Sequence, residues 1–123
     1  MNWNEAENII LKKIYPGVHI DTASPYRYVI SGPYYNCKTY DYNNDMGFRI
    51  SIGNSNRLDI PLSMLETLFN ASVANNRIYN SSVFQQFFKL QSTRHPCHVY
   101  VVGKLFKTAE IAVEEGIRNY RIL

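Results

Sequence analysis

The sequence predicts an α+β fold, in which an antiparallel sheet of about four to five strands packs against an N-terminal helix and two central helices. Three observations predict it. Apolar residues recur at helical spacing near the amino terminus, alternate with polar residues from about residue 26, and return to helical spacing from Pro61 onward. Helices and strands that occupy separate blocks of a sequence, without regular strand–helix–strand alternation, are typical of α+β folds.

The length and composition fit one domain, which we assign to residues 1–123. The chain has 123 residues and is 46% hydrophobic, enough to bury a core of its own. It begins without the basic and apolar regions of a signal peptide, and no segment approaches the roughly 18 apolar residues of a membrane span. We therefore expect a cytoplasmic protein with no membrane contact, in which Cys37 and Cys97 are both reduced.

The first helix is predicted after Asn4, which is the expected N-cap. Pro16 disfavours a helical residue before it, and Gly17 tolerates a left-handed turn, so the helix is expected to end there. The apolar stripe of this helix consists of Trp3, Ala6, Ile10 and Ile14.

Short strands are predicted over residues 26–31, 35–42, 48–53 and 58–60. The turns between them are expected at 32–33, 43–45 and 54–56, which are rich in Gly, Pro, Asn and Asp. In the third strand, alternation predicts that Phe48, Ile50 and Ile52 face the core and that Arg49 and Ser51 face outward.

The second half of the chain is predicted to contain two helices and a strand. The stripe of the first of these helices, which starts at Pro61 and ends before Asn75-Asn76, is Leu62, Leu65, Leu68, Phe69 and Val73. The next helix is expected over 83–90, with Ser82 as its cap. A Val-rich strand is predicted over 98–106. Residues 108–116 fit either a short helix or a strand, and we favour the helix.

Two histidines and a cysteine lie together in the segment His95-Pro96-Cys97-His98. One such cluster, without a second spaced pair, does not predict a zinc site, and we expect no metal and no cofactor. A small metal-independent hydrolase or nuclease could use His95 or His98 as a general base, Arg94 to hold an anion and Cys97 as a nucleophile. We favour a structural interpretation, in which the segment leads into the predicted strand. We accordingly expect the protein to act by binding rather than by catalysis.

A surface rich in tyrosine and arginine is predicted on the sheet. Aromatic rings and guanidinium groups recur at protein and nucleic-acid interfaces, where they supply stacking and anion recognition. The predicted ligand-binding residues are Tyr26, Arg27, Tyr28, Tyr40, Tyr42, Arg49 and Arg57.

The function predicted from the sequence is a small binding or interaction module. The net charge of +3 is weaker than that of dedicated nucleic-acid binders. A protein partner or a second copy in a homodimer is therefore expected first, and a nucleic acid or an anionic small molecule next. The abundance of Asn, Tyr and Ile is typical of an AT-rich accessory gene of the phage or gene-cassette type.

Overall fold

A computed structural model describes the backbone of residues 1–20, 28–30, 34–39, 42–52 and 56–123, and the side chains of residues 1–20, 46–51 and 57–123. Within these residues the fold is α+β, as predicted. Its elements are, in chain order, α1 (Trp3–Lys13), β1 (His19–Ile20), β2 (Tyr28–Ile30), β3 (Tyr34–Thr39), β4 (Tyr42–Ile52), β5 (Asn56–Pro61), α2 (Leu62–Ala74), β6 (Ile78–Tyr79), α3 (Ser81–Arg94), α4 (Cys97–Thr108), β7 (Ala112–Glu114) and β8 (Tyr120–Ile122).

Strand β4 is the centre of the larger, antiparallel sheet. It pairs with β2 and β5 near its end and with β3 near its start, while β1 pairs with β2. The Phe48–Ile60 and Ile50–Leu58 pairs are buried, so the predicted inward positions Phe48 and Ile50 are confirmed. The side chain of Ile52 lies outside the described residues.

The predicted turn at residues 43–45 is wrong, because these residues lie inside β4. Asp45 is in register with Cys37, and Tyr42 is in register with Thr39, so β4 begins before the Asn-rich segment. Asn and Asp favour turns only as a local preference, and pairing with β3 overrides it here.

Helix α1 begins two residues earlier than predicted. Its N-cap is Asn2, whose side chain accepts a hydrogen bond from the backbone N–H of Glu5 at 2.9 Å, and Asn4 lies inside the helix. The predicted stripe is confirmed, since Trp3, Ala6, Ile10 and Ile14 are all buried. Trp3 packs on Phe69 of α2, with ring centroids 5.7 Å apart.

Helices α2 and α3 lie where helical spacing predicted them. Helix α2 begins directly after Pro61, and Leu62, Leu65, Leu68 and Phe69 are buried. Helix α3 begins earlier than the predicted 83–90, because the side chain of Asn80 caps it by accepting from the N–H of Val83 at 3.1 Å, and it continues to Arg94. Ser82 is therefore not the cap.

The predicted strand at 98–106 is wrong: these residues belong to helix α4. Valine favours strands, but burial on most sides of the helix outweighs that preference. Most side chains of this helix are apolar, and helical periodicity is visible in the less buried residues Cys97, Tyr100, Lys104 and Lys107, three and four positions apart.

The helix favoured for residues 108–116 is also wrong. Thr108 is the last residue of α4, and the chain reverses through Glu110, whose φ of 63° is left-handed. Residues Ala112–Glu114 then form β7, which pairs with β8 in a smaller sheet whose strand order is β6-β8-β7.

Helix α4 connects the helices to the smaller sheet. Phe106 contacts Phe69 of α2 and Tyr79 of β6, with ring centroids 6.4 Å and 5.8 Å away. The buried hydroxyl of Tyr79 donates a 2.6 Å hydrogen bond to the carbonyl of Val99. A Cβ atom at Gly103 would lie only 2.3 Å from the ring of Tyr120, so this position requires glycine. None of the helices in the described part of the chain has the length and apolar character needed to cross a bilayer.

We expect Gly103→Ala to destabilise the protein by about 1–3 kcal/mol, because the added methyl group would overlap the Tyr120 ring. The direction of the change in stability is informative, because Gly→Ala in an unconstrained helix stabilises a protein by roughly 0.5–1 kcal/mol. Urea denaturation measures the change. Asn70→Ala on the exposed side of α2 is the control and should not destabilise. A stabilised Gly103→Ala protein would contradict the contact between α4 and β8.

Candidate functional site

The described residues bring two of the predicted groups together where the β4–β5 pair meets the start of α4. Arg49 and Asp59 are cross-strand partners on the outward positions of β4 and β5. Their side chains form a bidentate ion pair, with Arg49 Nε 2.8 Å from Asp59 Oδ1 and Arg49 Nη2 3.2 Å from Asp59 Oδ2. The two side chains are only 23% and 14% exposed. This pairing neutralises Arg49 and fixes its direction, so it is a poor receptor for an external anion.

His98 lies beside this ion pair, in the first turn of α4. It is 2% exposed, and its ring centroid is 5.5 Å from that of Phe84 in α3. Burial is the main cause that lowers the pKa of His98 to about 4, and the neighbouring His95 lowers it further. The backbone and the carboxylate of Asp59 act in the opposite direction. His98 is therefore neutral at physiological pH.

Two buried polar side chains at the α3–α4 junction have no hydrogen-bond partner among the described residues. They are His98, at both ring nitrogens, and Gln91, at both amide atoms. Their backbones are joined by two hydrogen bonds in series, from His95 N–H to the Gln91 carbonyl and from His98 N–H to the His95 carbonyl, each 2.8 Å long. Each unsatisfied buried group typically costs about 1–3 kcal/mol. Such groups are uncommon in native proteins. Apolar side chains would fill these two buried positions at a lower cost in free energy, so apolar packing does not account for a glutamine and a histidine here.

The other predicted catalytic residues lie around this junction at different depths. Arg94 and His95 are exposed, and Cys97 is half-buried. Cys97 is a free thiol, and burial raises its pKa, so the environment favours the thiol over the nucleophilic thiolate. A buried histidine with a lowered pKa is a weak general base. These environments disfavour Cys97 as a nucleophile and His98 as a general base. The hydrolase alternative with His95 and Arg94 stays a prediction.

The predicted tyrosine and arginine surface is described only in part. Tyr26, Arg27 and Tyr40 lie outside the described residues, as do the side chains of Tyr28 and Tyr42. Strand register pairs Tyr28 with Ile52, whereas Arg57 pairs with Ser51 in the adjacent row. Arg57 is exposed, in contrast to Arg49.

The described side chains contain no group of three or more His, Cys, Asp or Glu residues placed to hold a metal ion. Among the described candidate residues, the arrangement supplies the neutralised Arg49, the exposed Arg57, Arg94 and His95, and the neutral, buried His98. Exposed guanidinium groups can recognise anionic groups.

Asp59 and Gln91 were not singled out from the sequence. Asp59 could have been found by placing β4 and β5 in register, which sets it opposite Arg49. Gln91 follows Phe84 and Phe88 at the seven- and three-residue spacing of a buried face, so a polar residue in a predicted core position was the available signal.

Comparison of the chain with protein-family models, with curated proteins and with solved structures finds no match.

We expect the stability of the protein to depend on pH through His98. The unfolded side chain binds a proton near pH 6.5, whereas the folded one does so only near pH 4. Between these values the unfolded state binds more protons, so stability is complete above pH 6.5 and decreases toward pH 4, by up to roughly 3 kcal/mol. The measurement is urea denaturation at several pH values across this range.

The His98→Leu variant should lose most of this pH dependence and remain within about 1 kcal/mol of the wild-type stability at neutral pH, because leucine is of similar size and brings no polar atoms into the buried position. His19→Asn is the matched control, since His19 is exposed on β1 and its replacement should leave the pH dependence intact. If the free energy of unfolding of His98→Leu changed with pH as steeply as that of the wild type, the buried His98 would not be the source of the pH dependence.

A double-mutant cycle tests the Arg49–Asp59 pair. We expect Asp59→Ala to destabilise by about 1–3 kcal/mol, because it leaves a partly buried guanidinium without its carboxylate. Arg49→Ala should cost a similar amount, and the double variant should cost less than the sum, with a coupling of about 1 kcal/mol in urea denaturation. Additive losses would mean that the ion pair does not contribute to stability.

Proposed function

We propose that the protein is a small binding module whose partner is another protein, and that Arg57 on the outward side of the β4–β5 pair receives an acidic group of that partner. The observation that carries the proposal is the contrast between the two arginines in these strands. Asp59 satisfies Arg49, while Arg57 lies two positions along β5, is exposed, and has Ser51 as its cross-strand neighbour. An exposed arginine beside a fixed ion pair is suited to bidentate recognition of a carboxylate.

A protein partner is favoured over a nucleic acid by the number of cations among the described side chains of this face. Affinity for nucleic acid comes from several phosphate contacts made together. Among the described outward side chains of β4 and β5, Arg57 is exposed and Arg49 is already neutralised. One cation with a hydroxyl neighbour fits a single carboxylate at the rim of a protein interface better than a run of phosphates.

The proposal includes the expectation that the protein is the product of an AT-rich accessory gene and acts by binding another protein. The homodimer remains one form of this proposal, because a second copy supplies acidic groups of its own, such as Glu5 and Glu7.

The test uses a labelled peptide of Glu and Ser without apolar residues, a single-stranded oligonucleotide of equal length and inorganic phosphate as probes. We expect the peptide to bind in fluorescence anisotropy, and Arg57→Glu to weaken it at least about tenfold, equivalent to roughly 1.4 kcal/mol. Lys12→Glu on α1 is the matched control, because it makes the same charge change at another exposed site.

Equal losses in Arg57→Glu and Lys12→Glu would show that net charge alone attracts the peptide, and would contradict a site at Arg57. A preference for the oligonucleotide, with steep salt dependence, would replace the protein partner by a nucleic acid. Turnover of a phosphodiester substrate that is lost in His95→Ala would restore the hydrolase alternative.

A further inference from the structure

The second half of α3 exposes apolar side chains and buries a polar one. Phe87 and Leu90 are 51% and 39% exposed, whereas Gln91 is 1% exposed and has no hydrogen-bond partner among the described residues. Folding alone favours the opposite arrangement, with the apolar side chains inside and the amide in water. A local conflict of this kind is expected where a surface is kept for another purpose.

A kink in the helix sets which side chains face outward. Phe88 has non-helical backbone angles, φ −133° and ψ 46°, and it separates the first turns of α3 from the segment that contains Leu90 and Gln91. Successive helical residues differ by about 100° around the axis, so a rotation by one position would exchange Leu90 for Gln91 in the core. The observed orientation after the kink leaves Leu90 outside, and Phe87 is exposed on the segment before the kink.

The charge on α3 has one sign. Its residues, Ser81–Arg94, include no Asp or Glu, and their charged side chains are Lys89 and Arg94. Lys89 is exposed and lies between Phe87 and Leu90 in the sequence.

We propose that Phe87, Lys89 and Leu90, which we term the α3 face, bind an acidic amphipathic helix of a partner protein. Two exposed apolar anchors three positions apart, with a basic residue between them, complement a helix with an apolar stripe and acidic edges. A symmetric contact between two copies would bring the two Lys89 charges into one interface, which disfavours a second copy as the occupant. The α3 face lies on a different element from Arg57, so the inference goes beyond the function proposed above.

The experiment uses a synthetic helical peptide of about 15 residues, with Leu at positions i, i+4 and i+7 and Glu at the flanking positions. A second peptide carries Lys in place of Glu. We expect the full-length protein to bind the acidic peptide in fluorescence anisotropy and to bind the basic one at least about tenfold more weakly.

Two kinds of variant locate the binding. Phe87→Gln and Leu90→Gln should each weaken the acidic peptide about tenfold, and Lys89→Glu should weaken it and improve binding of the basic peptide. Because these side chains are exposed, the variants should fold, which circular dichroism checks; the remaining variants carry the test if one does not. Ile117→Gln is the apolar control, since Ile117 is 86% exposed on the loop between β7 and β8 and should leave binding unchanged.

The variant Arg57→Glu separates this inference from the proposed function. If the α3 variants lose binding of the acidic amphipathic peptide and Arg57→Glu keeps it, the α3 face is supported. This holds whether or not Arg57→Glu weakens binding of the peptide of Glu and Ser. Full binding in every α3 variant would overturn the inference. So would an oligonucleotide that competes with the peptide and is lost in Lys89→Glu, or a dimer in native mass spectrometry that Phe87→Gln dissociates, because each assigns the α3 face to another occupant.

Discussion

The close packing of helix α4 is the constraint on which the rest of the structure depends. Its residues contact α2 through Phe106, β6 through the Tyr79 hydroxyl, α3 through His98, and β8 through the space left by Gly103. A helix buried on most sides gains its stability from tertiary contacts more than from intrinsic propensity, which suits a segment rich in valine. Helices α2 and α3 and the smaller sheet therefore pack around α4.

The candidate site follows from this constraint. Since His95 and Pro96 are the only residues between α3 and α4, the end of α3 must lie close to the start of α4. There the packing holds two polar side chains, Gln91 and His98, away from water, and it leaves Phe87 and Leu90 in contact with water. The Arg49–Asp59 ion pair lies beside His98, and in it the guanidinium group and the carboxylate neutralise each other. The molecule thus has a buried junction at Gln91 and His98, and exposed basic side chains in two separate places, at Arg57 on β5 and at Lys89 on α3.

The sequence predicted those elements whose two sides differ in polarity. The stripes of α1 and α2 and the inward positions Phe48 and Ile50 were readable because polar residues mark the opposite side. Helix α4 was predicted as a strand because its many apolar residues give little contrast in polarity between its sides. The preference of valine for strands is also a local property, whereas the helix is stabilised by distant residues that pack on it, Phe69, Tyr79 and Tyr120. In the site, the sequence singled out His98 and Arg49 but not their setting, since the partner Asp59 depends on strand register and the burial of Gln91 depends on the kink at Phe88.

The most direct measurement is amide hydrogen exchange by NMR on the full-length protein, with and without the acidic amphipathic peptide. We expect the amides of α4 to exchange only through global unfolding in the free protein, and the peptide to add protection in α3, around Phe87 and Leu90. Exchange of α4 by local opening would contradict its place at the centre of the fold. Added protection confined to other elements would contradict α3 as the docking surface that the packing of α4 leaves exposed.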